Sequence, residues 1–349
     1  MIPTEPIGSV PRPDYLVQAL ARGVAGAELS DLQGRSLSDT VLRFAQTGSP
    51  IISDGEQSKS SFVTYPLEGA TCYSSDGVEI EFADGHIRQL PRLTSKPFRY
   101  MRQAGKYTSA VRGQTDLLIK QAVIAPSALS LLYLDADISS YSRDQFLVDL
   151  VDECEADIRS CFQAGAHSVQ MDFTEGRLSL KLDPSGALLQ SFVDLNNSVL
   201  DRFSEAERAR IGVHTCPGGD QDSVHSLDVD YADLLPALFG MRAGSFFIEL
   251  SAEPEPERVL SIAAKSLPQG ARLYVGVINP IDPAIESVAT VRDRVLRAAE
   301  YIPLDQLGTC DDCGFSPFAD DTSTSRDVAF AKIAARVEGT AEAAAQLGL

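Results

Sequence analysis

The sequence predicts an α/β fold, specifically a (β/α)8 TIM barrel, on three observations. Eight short apolar strand candidates lie near residues 7, 51, 123, 170, 212, 247, 274 and 308, with helical patterns between most of them. The rival, an open doubly wound sheet, calls for a glycine-rich phosphate loop after its first strand. Neither G-x-G-x-x-G nor a Walker sequence occurs in the chain. Acids, thiols and an imidazole follow the strand candidates, at the rim where barrels of this kind carry their sites.

Taken in order, Pro6-Ile-Gly-Ser-Val-Pro-Arg-Pro13 reads as a brief strand broken by prolines, and apolar spacing predicts a helix over 29–47. The second strand runs into Asp54-Gly-Glu56. A β-hairpin insertion is expected after it, within 69–100, where Val78-Glu-Ile-Glu-Phe82 and His86-Ile87 flank Asp84-Gly85. Strands at 121–126, 168–172, 211–214, 245–250, 272–277 and 306–309 then alternate with helices at 145–164, 186–203, 231–241, 256–266, 287–301 and 325–345. No low-complexity linker divides residues 1–349, so a single domain is expected.

Composition narrows the partners. A hydrophobic content of 44% over 349 residues is enough for a sizeable core. The net charge of -19 argues against nucleic acid or an anionic membrane surface. No apolar run is long enough to span a bilayer, and the first residues lack the basic-then-apolar layout of a signal peptide. The cysteines at 72, 154, 161, 216, 310 and 313 are too sparse for a disulfide framework, so a cytoplasmic, reducing compartment is expected.

His214-Thr-Cys216 ends a strand candidate, and residues two apart on a strand point to one side. Two soft ligands so placed make half of a zinc site, the alternative for this pair alone being a buried His beside a buried Cys. Glu249 stands inside the apolar run Phe246-Phe-Ile-Glu-Leu-Ser251, where an unpaired carboxylate would be costly. Either cysteine of Thr309-Cys-Asp-Asp-Cys-Gly314 could complete the set. Cys310-x-x-Cys313 also reads as a redox pair, but Gly314-Phe-Ser-Pro317 does not open the helix that such a motif needs. Cys72, Cys154, Cys161, His86 and His167 read as packing or surface residues. His225 reads as a surface turn or an outer partner of the metal site.

These motifs, with Asp54-Gly-Glu-Gln-Ser-Lys-Ser-Ser-Phe-Val-Thr-Tyr-Pro66, Val169-Gln-Met-Asp172 and Asp311-Asp-Cys-Gly314, recur in an order that resembles the catalytic C-terminal barrel of cobalamin-independent methionine synthases. The likeness is to the short, single-barrel members. It implies Zn2+ held by His214, Cys216, Glu249 and Cys313, with Cys310 matching no ligand. It further implies homocysteine contacts at Ile7, Ser9, Glu56 and Asp172, the two carboxylates anchoring the ammonium, and methyl transfer from a methylfolate to the metal-held thiolate. Two features depart from the pattern. The family's donor-stacking tryptophan is absent, Tyr133 being the aromatic residue of that stretch, since the chain contains no Trp. The continuation Asp172-Phe-Thr-Glu-Gly-Arg-Leu supplies Arg177 and Lys181, cations suited to a substrate carboxylate, sulfonate or phosphate. That stretch is also similar to epoxyalkane:coenzyme M transferases, which add a thiol to an epoxide. His225, Asp220 or Asp222 is expected to relay a proton to the leaving group. The partners expected are a small-molecule thiol and an alkyl donor, with a homo-oligomer left open and a non-catalytic zinc barrel as the remaining reading.

Overall fold

The computed structural model describes residues 1–134, 138 and 141–349. Seven parallel strands form one curled sheet: β1 (Ile51–Ile52), β2 (Leu118–Ile124), β3 (Ser168–Asp172), β4 (Ile211–Thr215), β5 (Ser245–Ile248), β6 (Arg272–Ile278) and β7 (Leu307–Asp311). Spatial order follows chain order, so each crossover returns over the outer face, where helices cover the sheet. Between β1 and β2, Glu79–Glu81 pairs antiparallel with Ile87–Gln89, and Tyr73–Ser74 with Arg92–Leu93.

The strand predicted near residue 7 is a single bridge, Thr4 to Thr309 of β7, instead of a ladder. Pro3, Pro6, Pro11 and Pro13 offer no N–H to a neighbour, which explains the difference. The segment is still held at both ends of the sheet. Glu5 N donates to Thr309 O at 3.0 Å, Val10 N to Gly55 O at 3.1 Å, and the Ser53 hydroxyl to Gly8 O at 2.6 Å.

Several predicted helices fall within a few residues of their expected bounds because their caps are written in the sequence. Ser142, Asp230, Ser287 and Ser325 each accept a backbone N–H from the first turn of Arg143–Gln163, Tyr231–Leu238, Val288–Ala299 and Arg326–Gln346. Five shorter α-helices, Asp14–Ala21, Gly105–Arg112, Pro126–Ser130, Glu175–Leu182 and Glu205–Arg208, lie outside the predicted elements. None of the described helices is long and apolar enough to cross a membrane.

Strand register divides the core. Asp172, His214, Phe247 and Tyr274 are successive partners across β3 to β6, so their side chains share the inner face. Their neighbours Met171, Val213, Phe246 and Leu273 turn outward into the main core beneath the helices. On the inner face, Ile7, Phe247, Tyr274 and Cys310 form a small apolar layer, with the Phe247 and Tyr274 rings stacked at 4.4 Å. The Lys120 ammonium sits 3.9 Å from the Phe247 centroid and donates to Gln170 Oε1 at 2.7 Å. Gln170 Nε2 in turn donates to Asp172 Oδ1, also at 2.7 Å. This chain of contacts is the floor beneath the site.

Candidate metal centre and substrate cavity

At the C-terminal ends of β4 and β7, one ligand atom each from His214, Cys216 and Cys313 lies within 4.8 Å of the other two. Cys216 Sγ and Cys313 Sγ are 3.0 Å apart. The S–H that Cys216 donates holds Cys313 well below the usual thiol range; the same bond, with burial, pushes Cys216 up. The pair therefore shares one proton, which a cation would replace. His214 Nδ1 lies 3.3 Å from Phe247 O, so it carries the hydrogen. That leaves Nε2 a bare, buried lone pair with no partner. Three soft donors, one already oriented by a backbone carbonyl, fit zinc with an open position.

Of the predicted ligands, Glu249 stands outside this group. Its Oε2 accepts from Arg177 at 3.3 Å, and burial pushes its carboxyl well above the usual range, with Asp312 adding to the rise. Arg177 is placed differently from its expected role as a substrate cation. It is buried between Glu249 and Glu253, with its guanidinium 4.2 Å from the Tyr231 ring centroid, and it does not line the cavity. Lys181 likewise donates to His225 O at 3.0 Å and pairs with Asp228. Cys310 is buried on β7 with its thiol toward Tyr274 O, so the sulfur facing Cys313 is that of Cys216.

The Asp-Asp-Cys-Gly motif now has a physical account for each residue. Asp311 pairs with the buried Arg336 at 2.6 Å and accepts Ile7 N at 3.4 Å. The Asp312 carboxylate accepts the backbone N–H groups of Leu250, Ser251 and Ala252 and the Ser251 hydroxyl, which fixes the turn after Glu249. Gly314 leaves room for Ser9, whose Oγ would lie 2.3 Å from an added Cβ. Asp312→Ala should therefore cost about 3–5 kcal/mol, since one buried and two partly buried N–H groups lose a charged acceptor. Urea unfolding would measure this loss, and a smaller one in Asp312→Asn would confirm that charge contributes.

A cavity of about 370 Å³ opens beside the thiols. Ile7, Ser9, Glu56, Asp172, His214, His225 and Cys313, all singled out from the sequence, line it; Cys216, Glu249 and Arg177 do not. Glu56 takes a left-handed conformation (φ 58°) after Gly55, where an added Cβ would lie 2.7 Å from Thr40 and 2.8 Å from Val10. Its Oε1 accepts from Lys59 at 3.1 Å while Oε2 is buried and unpartnered. Burial raises the Glu56 carboxyl to about 7, against the opposing pull of Lys59. Burial also raises Asp172. His225 Nδ1 lies 2.6 Å from Ser226 Oγ, and burial, with Lys181 nearby, lowers its imidazole to about 4, leaving it neutral at pH 7. Arg88 reaches down from the Ile87–Gln89 strand to pair with Asp220 and Asp320, and Ile80, Phe82 and Leu90 roof the cavity beside it.

Three residues around the site escaped the sequence reading. Lys59 is buried against Glu56, Ala122 O and the Tyr65 ring. Arg12 donates to Glu56 O, Lys59 O, Ser316 O and Phe318 O, tying the N-terminal motif to two rim loops. Glu175 lines the cavity at the start of its helix. For Arg12 and Lys59 the available signal was a cation inside an otherwise uncharged or acidic motif.

The architecture defines a class: a parallel α/β sheet with an imidazole and two thiols gathered at its C-terminal rim. The chain is 21% identical over 347 residues to a methionine synthase of Saccharolobus solfataricus, covering 97% of this chain and 94% of the relative. In three dimensions it matches the B12-independent methionine synthase of Shewanella sp. W3-18-1, solved with selenomethionine, at TM-score 0.80 and 19% identity over the full length of both chains. A methyltransferase from Methanosarcina mazei matches at TM-score 0.50 and 15% identity, over 97% of this chain and 94% of that one. No family model matches. The resemblance to cobalamin-independent methionine synthases carried by the motifs thus extends along the whole chain in sequence and, at these identities, in fold.

Proposed function

We propose that the protein is a zinc-dependent thiol alkyltransferase that methylates a substrate thiol such as homocysteine. It would work as one (β/α)8 domain closed by residues 4–10, in a reducing, cytoplasmic setting. The observation that carries this reading is the convergence of one ligand atom each from His214, Cys216 and Cys313 within 4.8 Å. Zinc held there would keep the substrate thiol ionised at neutral pH. With Glu249 turned to Arg177, a fourth position remains for the incoming sulfur.

The surrounding residues would then orient and shield. Glu56 and Asp172, on the same cavity wall, supply negative charge for the substrate ammonium, and an ammonium at the unpartnered Glu56 Oε2 would return that carboxyl to its ionised form. The Lys120–Gln170–Asp172 contacts fix one carboxylate from below, and Lys59 fixes the other. The roof residues exclude water. Addition of a sulfonated thiol to an epoxide is less well supported, because Arg177 and Arg88 are both already engaged by carboxylates. A closed structural zinc does not account for ligands that open onto a cavity.

Cobalt substitution tests the reading. The visible absorption of the cobalt protein should shift on adding homocysteine as a thiolate enters the coordination sphere. An unchanged spectrum at saturating thiol would mean that the site does not bind its substrate through sulfur.

A further inference from the structure

Among the described residues lining the cavity, the carboxylates are Glu56, Asp172, Glu175 and Asp320, and the one Lys or Arg is Arg88, already paired with Asp220 and Asp320. A polycarboxylate donor would meet four acids and no free cation. Its volume of about 370 Å³ lies near the lower end of the ~300–1,000 Å³ typical of ligand pockets, and the thiol substrate takes part of it. Glu56 and Asp172 are accounted for by the substrate ammonium. Glu175 is not.

Glu175 is 4% exposed, and its Oε2 has no partner. Its Oε1 contacts the Ser127 hydroxyl, which also lies 2.9 Å from Asn196 Oδ1. That single hydroxyl proton is shared between the Glu175 carboxyl and Asn196, so it compensates the buried acid only in part, which favours the neutral carboxyl while the cavity is empty. Burial supports the same state, raising it to about 8. A buried acid in a cavity also lined by Ala128, Leu131, Leu178 and the Phe62 and Phe82 rings is suited to a cation.

We propose that the alkyl donor is a small methyl-onium compound, a sulfonium or quaternary ammonium, whose positive charge is held by Glu175 and by the Phe62 and Phe82 rings. Its chemistry rests on the thiol-alkylation reading; its binding does not. The substrate thiolate lone pair forms the new S–CH3 bond as the donor's C–S+ or C–N+ bond breaks, and that bonding pair leaves with a neutral sulfide or amine. No proton or oxidant is needed. Both charges disappear, a change that a water-poor cavity favours. His225, neutral at pH 7, then has no leaving group to protonate.

Titration calorimetry of the metal-loaded full chain with trimethylsulfonium and tetramethylammonium tests this, using paired buffers of different ionisation enthalpy. We expect binding that releases about one proton at pH 7, fading above about pH 9 as Glu175 is already ionised. Glu175→Gln should weaken it about tenfold or more, and Phe82→Leu, which keeps an apolar side chain but removes the ring, about threefold. Neutral tert-butanol should not compete. Absence of cation binding, absence of proton release, or equal affinity for tert-butanol would overturn the proposal. So would wild-type affinity in both variants. If homocysteine is alkylated only by an anionic donor, this inference fails and the functional reading stands. If onium binding follows Glu175 in a protein that alkylates no thiol, the reverse holds.

Discussion

Replacing Cys313 by Ser should strip the protein of metal while leaving its fold intact. Cys313 lies past the end of β7, held by contacts to neighbours that its sulfur does not make, so its backbone has no need of the thiol. The sulfur itself is one of the three proposed donors, and a hydroxyl is a far poorer ligand for a borderline-soft ion. Loss of an outer-shell partner alone costs about 10–100-fold in metal affinity, and loss of a direct ligand should exceed that. Cys216→Ser should behave alike. Cys310→Ser is the control, since that thiol faces Tyr274 O and the inner apolar layer: it should keep its metal and lose only stability. Zinc content after dialysis, read beside far-ultraviolet circular dichroism, separates these outcomes. Stoichiometric zinc in either Cys216 or Cys313 variant would place the ion elsewhere.

Glu249→Gln belongs to the same experiment. Its carboxylate contacts Arg177 while the other donors converge on one another, so the amide variant should retain zinc with only weakened affinity. Loss as complete as that from Cys313→Ser would make Glu249 a ligand in its own right.

The alternation of strands and helices was legible in the sequence because parallel strands buried on both faces are short apolar runs, and because Ser and Asp caps mark where helices begin. The rim was legible too: register places Asp172 and His214 side by side, as strand-end polarity implies. Other features were not. The strand near residue 7 reads as apolar but is too rich in proline to build a ladder, and its place beside β7 depends on residues some 300 positions away. Arg177 looked like a free cation because sequence shows charge without showing its neighbours; Glu249 and Glu253 lie 72 and 76 residues further on. Glu175 was hidden by lying at the start of an unexpected helix, where an acid ordinarily answers the helix dipole. Only the packing of Ser127 and Asn196 around it makes it unusual.

Lys59→Met should be strongly destabilising, and its cost should depend on pH. The ammonium is buried and contacts Glu56, Ala122 O and the Tyr65 ring. Burial works against its charge, but Glu56 and Asp54 more than offset that and hold the Lys59 ammonium above its ordinary range. Removing one member of a buried ion pair leaves the other uncompensated, typically at about 3–5 kcal/mol. The sign with pH follows from Glu56, raised from 4.5 to about 7 chiefly by burial. Between those values the native state binds more protons than the unfolded one, so Glu56 lowers stability progressively as pH rises from 4.5 through 7. Without Lys59 to oppose burial, its carboxyl should rise further and this fall should extend to higher pH. The penalty of Lys59→Met is thus expected to be largest near pH 8 and smaller near pH 5, where Glu56 is protonated in both proteins. Urea unfolding of the two proteins at those pH values measures it directly. A penalty independent of pH would mean that Lys59 acts through packing on Tyr65 and Tyr107 and not through its pairing with Glu56.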